Sequence, residues 1–483
     1  MPNQHLPLPP DEDIRESLEF WFNCRRTDKQ LVEIMKDYYD TTKYGLSESS
    51  IKRLRRKFGL QGTRQQGHTI ESIQEMVLEA RKKFPARGAQ SLRAYLFDTK
   101  RVRIPRELIE KFLRQHEPDQ VAARRRRKFV HRYFYAAGVN HIWCMDQHDK
   151  WGPKFGLWLH NCIDPFTGYN NWLKVWWTNK QPRLVASYFL DAVQSLGALP
   201  MLTQSNPGSE NYGVANAETV ARQRLDPSLK GTLQHVFKRE KTNIKSEANW
   251  SVFRRDFTPG YENLFQEGVN CGWYDVENTL QLLTFRWIAI PWLQAELNQW
   301  VQQRNNTKPK CHKHKFLPHD CPFVIRMRPQ DFGVLDFKVG IPLELINELR
   351  TEYAPFDHEV FQLTPLPFDQ AANTVYTQLG HPEISFDTFW MVYRNLLAGI
   401  EAIAAGELMA AVDAHAVTVA QMNTYEDDIN RVALLPDQHR RTLNDILVGG
   451  FHQVKGDGLD GIPESAVVYA TFSDDEPDDK ELD

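Results

Sequence analysis

Apolar residues recur every three or four positions through the first part of the chain. "IRESLEFWFNC", "KQLVEIMKDYY", "IESIQEMVLEARKKF", "GAQSLRAYLF" and "PRELIEKFLRQ" all carry this spacing, which predicts helices. Pro105 suits the opening of the last of them. In "KYGLSESSIKRLRRKFGL", Gly45 makes a turn, Ser47 can cap a helix, and Ile51, Leu54 and Phe58 form its apolar stripe. From Val139 the period changes. "HIWCMDQHDKW", "GLWLHNCID" and "NWLKVWWT" read as strands, the last two joined by the turn "PFTGYN". "RLVASYFLDAVQSLG" is a helix stopped by Gly197, and "PMLTQSN" is a short buried strand. Three strands in succession and then a crossover predict an α/β core, a mixed sheet flanked by helices. Beyond Glu247 the pattern is helical to about Ala416.

These periods divide the chain. We expect a disordered Pro-rich start (1–12), a helical region (13–116), a basic linker (117–138), the α/β core (139–325), a helical C-terminal region (326–470) and an acidic disordered tail (471–483). At 483 residues, with 41% hydrophobic and 25% charged residues, the chain suits a globular protein of several domains. No apolar run approaches the ~20 residues that cross a bilayer, so no membrane partner is expected. The six cysteines (24, 144, 162, 271, 311 and 321) form no framework, which suits a reducing compartment.

The net charge of −3 hides an asymmetry. Between Thr41 and Tyr135, Lys and Arg exceed Asp and Glu by 15, while the final "DDEPDDKELD" holds seven acids and one lysine. A basic front predicts double-stranded DNA as partner. After the turn at Gly45, the second helix presents Lys52, Arg53, Arg55, Arg56 and Lys57, as the recognition helix of a helix-turn-helix would. Arg124, Arg125, Arg126, Arg127 and Lys128 form a run that fits phosphate contact or nuclear import, so the expected location is the nucleus. An ordinary solvated basic face is the competing reading of both.

Asp146 lies near the end of the first core strand among Ile142, Trp143 and Met145, where a lone carboxylate needs a partner or a metal. Position 206 follows 60 residues later, and Glu247, early in a helix, 41 after that. An acid on each of two strand ends and one on a helix can hold two Mg²⁺ ions that clamp an in-line phosphoryl displacement. At the middle position stands Asn206, an amide without the charge. Asp149 is an odd number of residues from Asp146 and should face the other way on a strand. Glu210 could replace the missing acid only if its loop folds back.

The same segments carry a resemblance. "VNHIWCMDQHDKW" is similar to the "PNxLWHxDGHHKL" of eukaryotic integrase-core proteins, the fungal and animal type with an N-terminal helix-turn-helix. "NCIDPFTGYNN" matches their "CIDGYSR", "SNPGSEN" their "SDRGxEN", and "NIKSEANW" their "NxRIExxW". "QQRNNTKPKCHKHKFLPHDCP" follows their "RNxxxxR" and "LPHG". The resemblance spans residues 44 to 325. It implies an RNase H-like five-stranded sheet, an origin in a mobile element, DNA integration, and Mg²⁺ or Mn²⁺ if the site is active. It places the catalytic positions at Asp146, Asn206 and Glu247, the metal ligands at Asp146 and Glu247, and Lys245 on DNA. Without the second acid it implies impaired catalysis. Three functions compete: an active strand transferase, a non-catalytic DNA-binding protein, and a protein-interaction scaffold.

Other features read as structure. Cys311, His312, His314, His319 and Cys321 match no common zinc finger and suit a basic loop. The tryptophans fall at core spacing more than at base-stacking positions. "ENLFQEG" looks like a protease tag inside a predicted helix, a coincidence. The helix pair within "HPEISFDTFWMVYRNLLAGIEAIAAGELMAAVDAH" suits a domain core or a face for a second copy of the chain.

Overall fold

The computed structural model describes residues 6–126, 129–238, 243–309, 317–423, 432–437 and 467–473. The chain forms two compact units. One is Met1–Arg81 with Gly88–Ala122, the other Lys82–Arg87 with Ala123–Asp483.

The first unit is helical. It contains α1 (Asp11–Asn23), α2 (Asp28–Tyr38), α3 (Glu48–Lys57), the bulk of α4 (Ile70–Lys83), α5 (Ala89–Lys100), α6 (Arg106–His116) and the start of α7 (Pro118–Arg126). A Thr27–Gln30 capping box starts α2. Ser47 caps α3, its hydroxyl accepting from Ser50 N–H at 3.2 Å, at the position its sequence predicts. Ile14, Leu18, Leu31, Met35 and Ile51 are fully buried on the inner faces of α1–α3. Ile73, Val77, Leu92, Leu96, Ile109 and Phe112 do the same for α4–α6.

The second unit holds a five-stranded mixed sheet. In chain order come β1 (Phe129–Tyr135), β2 (Ile142–His148), α8 (Gly152–Phe155), β3 (Trp158–Asp164), β4 (Tyr169–Trp176), α9 (Pro182–Leu196), β5 (Ala198–Leu199), β6 (Leu202–Ser205), α10 (Tyr212–Leu225) and β7 (His235–Phe237). Next are α11 (Ile244–Asp256), α12 (Thr258–Asn270) and α13 (Thr279–Asn305). The sheet order is β4-β3-β2-β6-β7. β2, β3 and β4 form an antiparallel meander, and β6 and β7 run parallel to β2. This mixed sheet with flanking helices agrees with the expected RNase H-like fold. In β2 four successive residues are buried, as in a strand covered on both faces.

The helix α13 guards the edge strand β4. The Gln294 side chain accepts from Val175 N–H and donates to Leu173 C=O, each at 3.0 Å. Asn305 does the same for Asn170, accepting from its N–H at 2.8 Å and donating to its C=O at 3.0 Å. Two amide side chains thus complete a ladder that would otherwise lie open.

The C-terminal region is mainly helical, as expected: α14 (Pro322–Met327), β8 (Val339–Gly340), α15 (Leu343–Tyr353), α16 (Leu366–Gln378), α17 (Phe389–Ile403) and α18 (Glu407–Asn423). α17 packs on α13 and α16 as part of the core. Among the described residues no single helix is long and apolar enough to cross a membrane; α17 with α18 passes only as a pair bent by 116°. A final strand, β9 (Val467–Ser473), pairs antiparallel with β1, Phe129 opposite Ser473. The local pattern predicts neither strand, because each depends on a partner more than 300 residues away. "ENLFQEG" lies inside α12, with Phe265 fully buried and Gly268 against Trp390.

Candidate active site and nucleic-acid interface

The parallel pairing of β2 and β6 ends at Cys144 opposite Gln204. Two residues further on each chain stand Asp146 and Asn206, side by side at the carboxyl ends of parallel strands. The Asn206 Nδ2–H donates to Asp146 Oδ1 at 2.9 Å. Glu247 enters from the first turn of α11, which packs on β2 and β3. One side chain fixes this convergence. Asn243, fully buried just before α11, donates to Met145 C=O at 2.6 Å and accepts from Gln204 Nε2 at 3.0 Å. It ties both strands to the start of the helix.

Asp146 is half-buried. Burial pushes its pKa up to about 8, against the pull of the Gln147 backbone N–H. The charges of Glu247 and Asp149 raise it further. Trp250, one helical turn beyond Glu247, stands beside the carboxylate, its ring tilted against His148 with centres 5.1 Å apart. Lys238 and Lys245 lie near enough to act on Cys144 behind the site.

The loop after Asn206 does fold back, but to another place. Glu210 is buried, takes a hydrogen bond from Asn211 Nδ2 at 2.8 Å, and lies over Gly208, where a Cβ would collide with its carboxylate. Its pKa is raised, first by burial, and its other neighbours are Gln147, Asp149 and Lys180. Asp149 itself accepts from Asn179 Nδ2 at 2.6 Å. Glu210 therefore belongs to a second polar group on the Gln147–Asp149 side and does not replace the missing acid beside Asp146.

These residues do not fit a two-ion clamp. The site offers two carboxylates and an amide whose N–H points at Asp146. Among the described residues no group of three or more His, Cys, Asp or Glu converges to hold a metal. Of the zinc candidates, Cys311, His312 and His314 lie outside the described residues, Cys321 is buried, and His319 bonds Pro309 C=O at 2.9 Å.

The basic face of α3 is partly spent on structure. Arg55 pairs with Asp28 and lies 4.2 Å over the Phe22 ring, Lys57 pairs with Asp11, and Lys52 reaches Glu48 at 3.7 Å. Arg53 and Arg56 are exposed. Arg124, Arg125 and Arg126 fall in the last turn of α7; Arg127 and Lys128 lie outside the described residues. Several tryptophans have their N–H groups engaged in the fold: Trp176 with Val360 C=O, Trp177 with Gln362 C=O, and Trp287 with Asp369.

Sequence reasoning singled out the three site positions but missed Asn243, Gln204, Trp250 and Lys238. Asn243 carries a weak signal, an amide just ahead of a predicted helix. Its partners lie 98 and 39 residues away and leave no mark in the local pattern.

No curated protein matches the chain. Residues 133–321 match the integrase core domain family. Sheet order, flanking helices and this match agree: over these residues the chain carries an integrase core domain of the retroviral-integrase-like kind.

Proposed function

We propose that this retroelement-derived integrase-like protein binds double-stranded DNA and has lost two-metal strand transfer. One observation carries the loss: the Asn206 amide donates to Asp146 at 2.9 Å. A cation at this place would need the Asp146 lone pair that the amide N–H occupies, and would find no charge on Asn206. At ~4 Å and an effective dielectric of ~20, one unit charge pair is worth about 4 kcal/mol, and a divalent ion doubles that before desolvation. Losing one of three carboxylates thus costs roughly a hundredfold or more in ion affinity. What remains is two carboxylates, Asp146 and Glu247, on a chain that also carries a basic helical unit.

The test is Mn²⁺ titration and a strand-transfer assay on wild type and Asn206→Asp. Wild type should show weak Mn²⁺ binding and no DNA joining. Asn206→Asp should bind Mn²⁺ at least roughly tenfold more tightly, the conservative end of the electrostatic expectation. Asp146→Asn in that background should remove the gain. Robust joining by wild type would overturn the proposal.

A further inference from the structure

We infer that the helical N-terminal unit grips the phosphate backbone of duplex DNA with a cluster of arginines gathered round Phe22 and Phe97, beyond the outer face of α3. The inference rests on the DNA-binding reading above and names the surface.

Two helices of this unit end on a left-handed residue. After α1, Arg25 has φ 60°, its N–H donating to Phe22 C=O at 3.0 Å, while Arg26 N–H reaches back to Trp21 C=O at 3.3 Å. After α5, Arg101 has φ 55° and donates to Phe97 C=O at 2.9 Å. Both are helix-end positions where glycine is the ordinary choice, because a Cβ is crowded there. The chain places arginine at both. A non-glycine residue in this region marks strain that the surroundings hold for a reason.

Both side chains go to one ring. Arg25 lies 5.5 Å and Arg101 5.9 Å from the centre of Phe97. Arg103 sits 4.7 Å from the same ring and 4.0 Å from Phe22, held by Phe22 C=O at 3.0 Å and Asn23 Oδ1 at 3.1 Å. Arg55 covers Phe22. Aromatic faces hold guanidinium groups in place without neutralising them.

Counter-charge is short. Asp28 answers Arg55 and the charge of Glu107 acts on Arg93, but Arg101 and Arg103 make no ion pair with a carboxylate among the described residues. Burial, then Arg25 and Arg55, lowers the pKa of Arg103 to about 10; burial, Arg25 and Arg106 lower that of Arg93. Preordered planar forks at close spacing match a run of phosphodiesters, which they can bind bidentately. The integrase core on the same chain favours duplex DNA over RNA or an acidic peptide.

The experiment follows binding of the full chain to a labelled random-sequence duplex by anisotropy across a series of KCl concentrations. The variant Arg25→Gly with Arg101→Gly removes two cations and puts glycine where the backbone is left-handed, so Tm should hold or rise. Its log–log salt slope should be shallower by about 1.8, at about 0.9 per lost phosphate contact. Should the glycine pair lower Tm, the asparagine pair tolerates the same backbone and gives the same reading. Arg53→Ala with Arg56→Ala probes α3 in parallel. If only the α3 pair weakens binding, this inference fails while the DNA reading stands. If wild type shows no salt-sensitive binding, the DNA reading fails and takes this inference with it. Preference for single-stranded RNA over duplex DNA also overturns it.

Discussion

Glu218 sits fully buried in α10, and neither carboxylate oxygen has a hydrogen-bond partner among the described residues. Burial pushes its pKa well above the usual carboxylate range, and Arg222, one turn on, pulls it only partly back. The folded pKa lies above the unfolded one, so the folded state holds the proton more tightly. The group's contribution to stability is fully present below the ordinary Glu value of 4.5 and is lost as pH rises towards the folded pKa. Glu218→Gln should therefore be more stable than wild type at neutral pH, by on the order of 1–3 kcal/mol, with the gap closing in acid. Thermal unfolding of both proteins across pH checks this, and parallel profiles would sink it. Asn243→Ala should cost roughly 2–3 kcal/mol by stranding Met145 C=O and the Gln204 amide, read as a lower denaturant midpoint at unchanged m. At this scale the sequence was informative about Asp146, Asn206 and Glu247, because their order and spacing are linear properties. Glu218 and Asn243 were not legible, since a buried Glu and an Asn ahead of a helix look like surface residues until their neighbours are known.

Elements were legible where their own residues decide them. The helices of the N-terminal region, the β2–β3–β4 meander and the crossover α9 all follow from period and turn chemistry. β1 and β9 were missed because a strand made by a distant partner has no local period of its own. The face that α13 turns towards β4 was also hidden. The helix is apolar on several sides, and Gln294 reads as an ordinary surface glutamine. Gln294→Ala should cost roughly 1–3 kcal/mol by baring Val175 N–H and Leu173 C=O at the sheet edge. An exposed edge also invites pairing between chains, so the variant should self-associate in sedimentation experiments. Unchanged stability together with unchanged monomer content would show that water replaces the amide without loss.

For the whole molecule, charge distribution sets the expected behaviour. The net charge of −3 predicts weak repulsion from DNA, whereas the local excess of 15 positive charges between Thr41 and Tyr135 predicts strong, salt-dependent binding. The local term should win, because exposed charges separated by more than the ~8–10 Å screening length act separately. Binding of the full chain should thus survive EDTA and fall with KCl. Loss of binding in EDTA would mean that a metal bridges protein and DNA, contrary to the proposed function. The basic front was plain in composition, but its distribution was not. On α3, three of the five basic residues pair with acids, while Arg25, Arg101 and Arg103 gather instead round Phe22 and Phe97.

The Asn243 clasp has a consequence for descent. It holds β2, β6 and the start of α11 through neutral groups, so the cleft keeps its shape whether or not its acids are complete. A lineage that stopped needing DNA joining could exchange the middle aspartate for asparagine without the fold suffering. Codons for asparagine and aspartate differ by a single base. Under the proposed function the gene stands one transition away from a full triad on the same frame, and a loss of this kind is as easily reversed as gained.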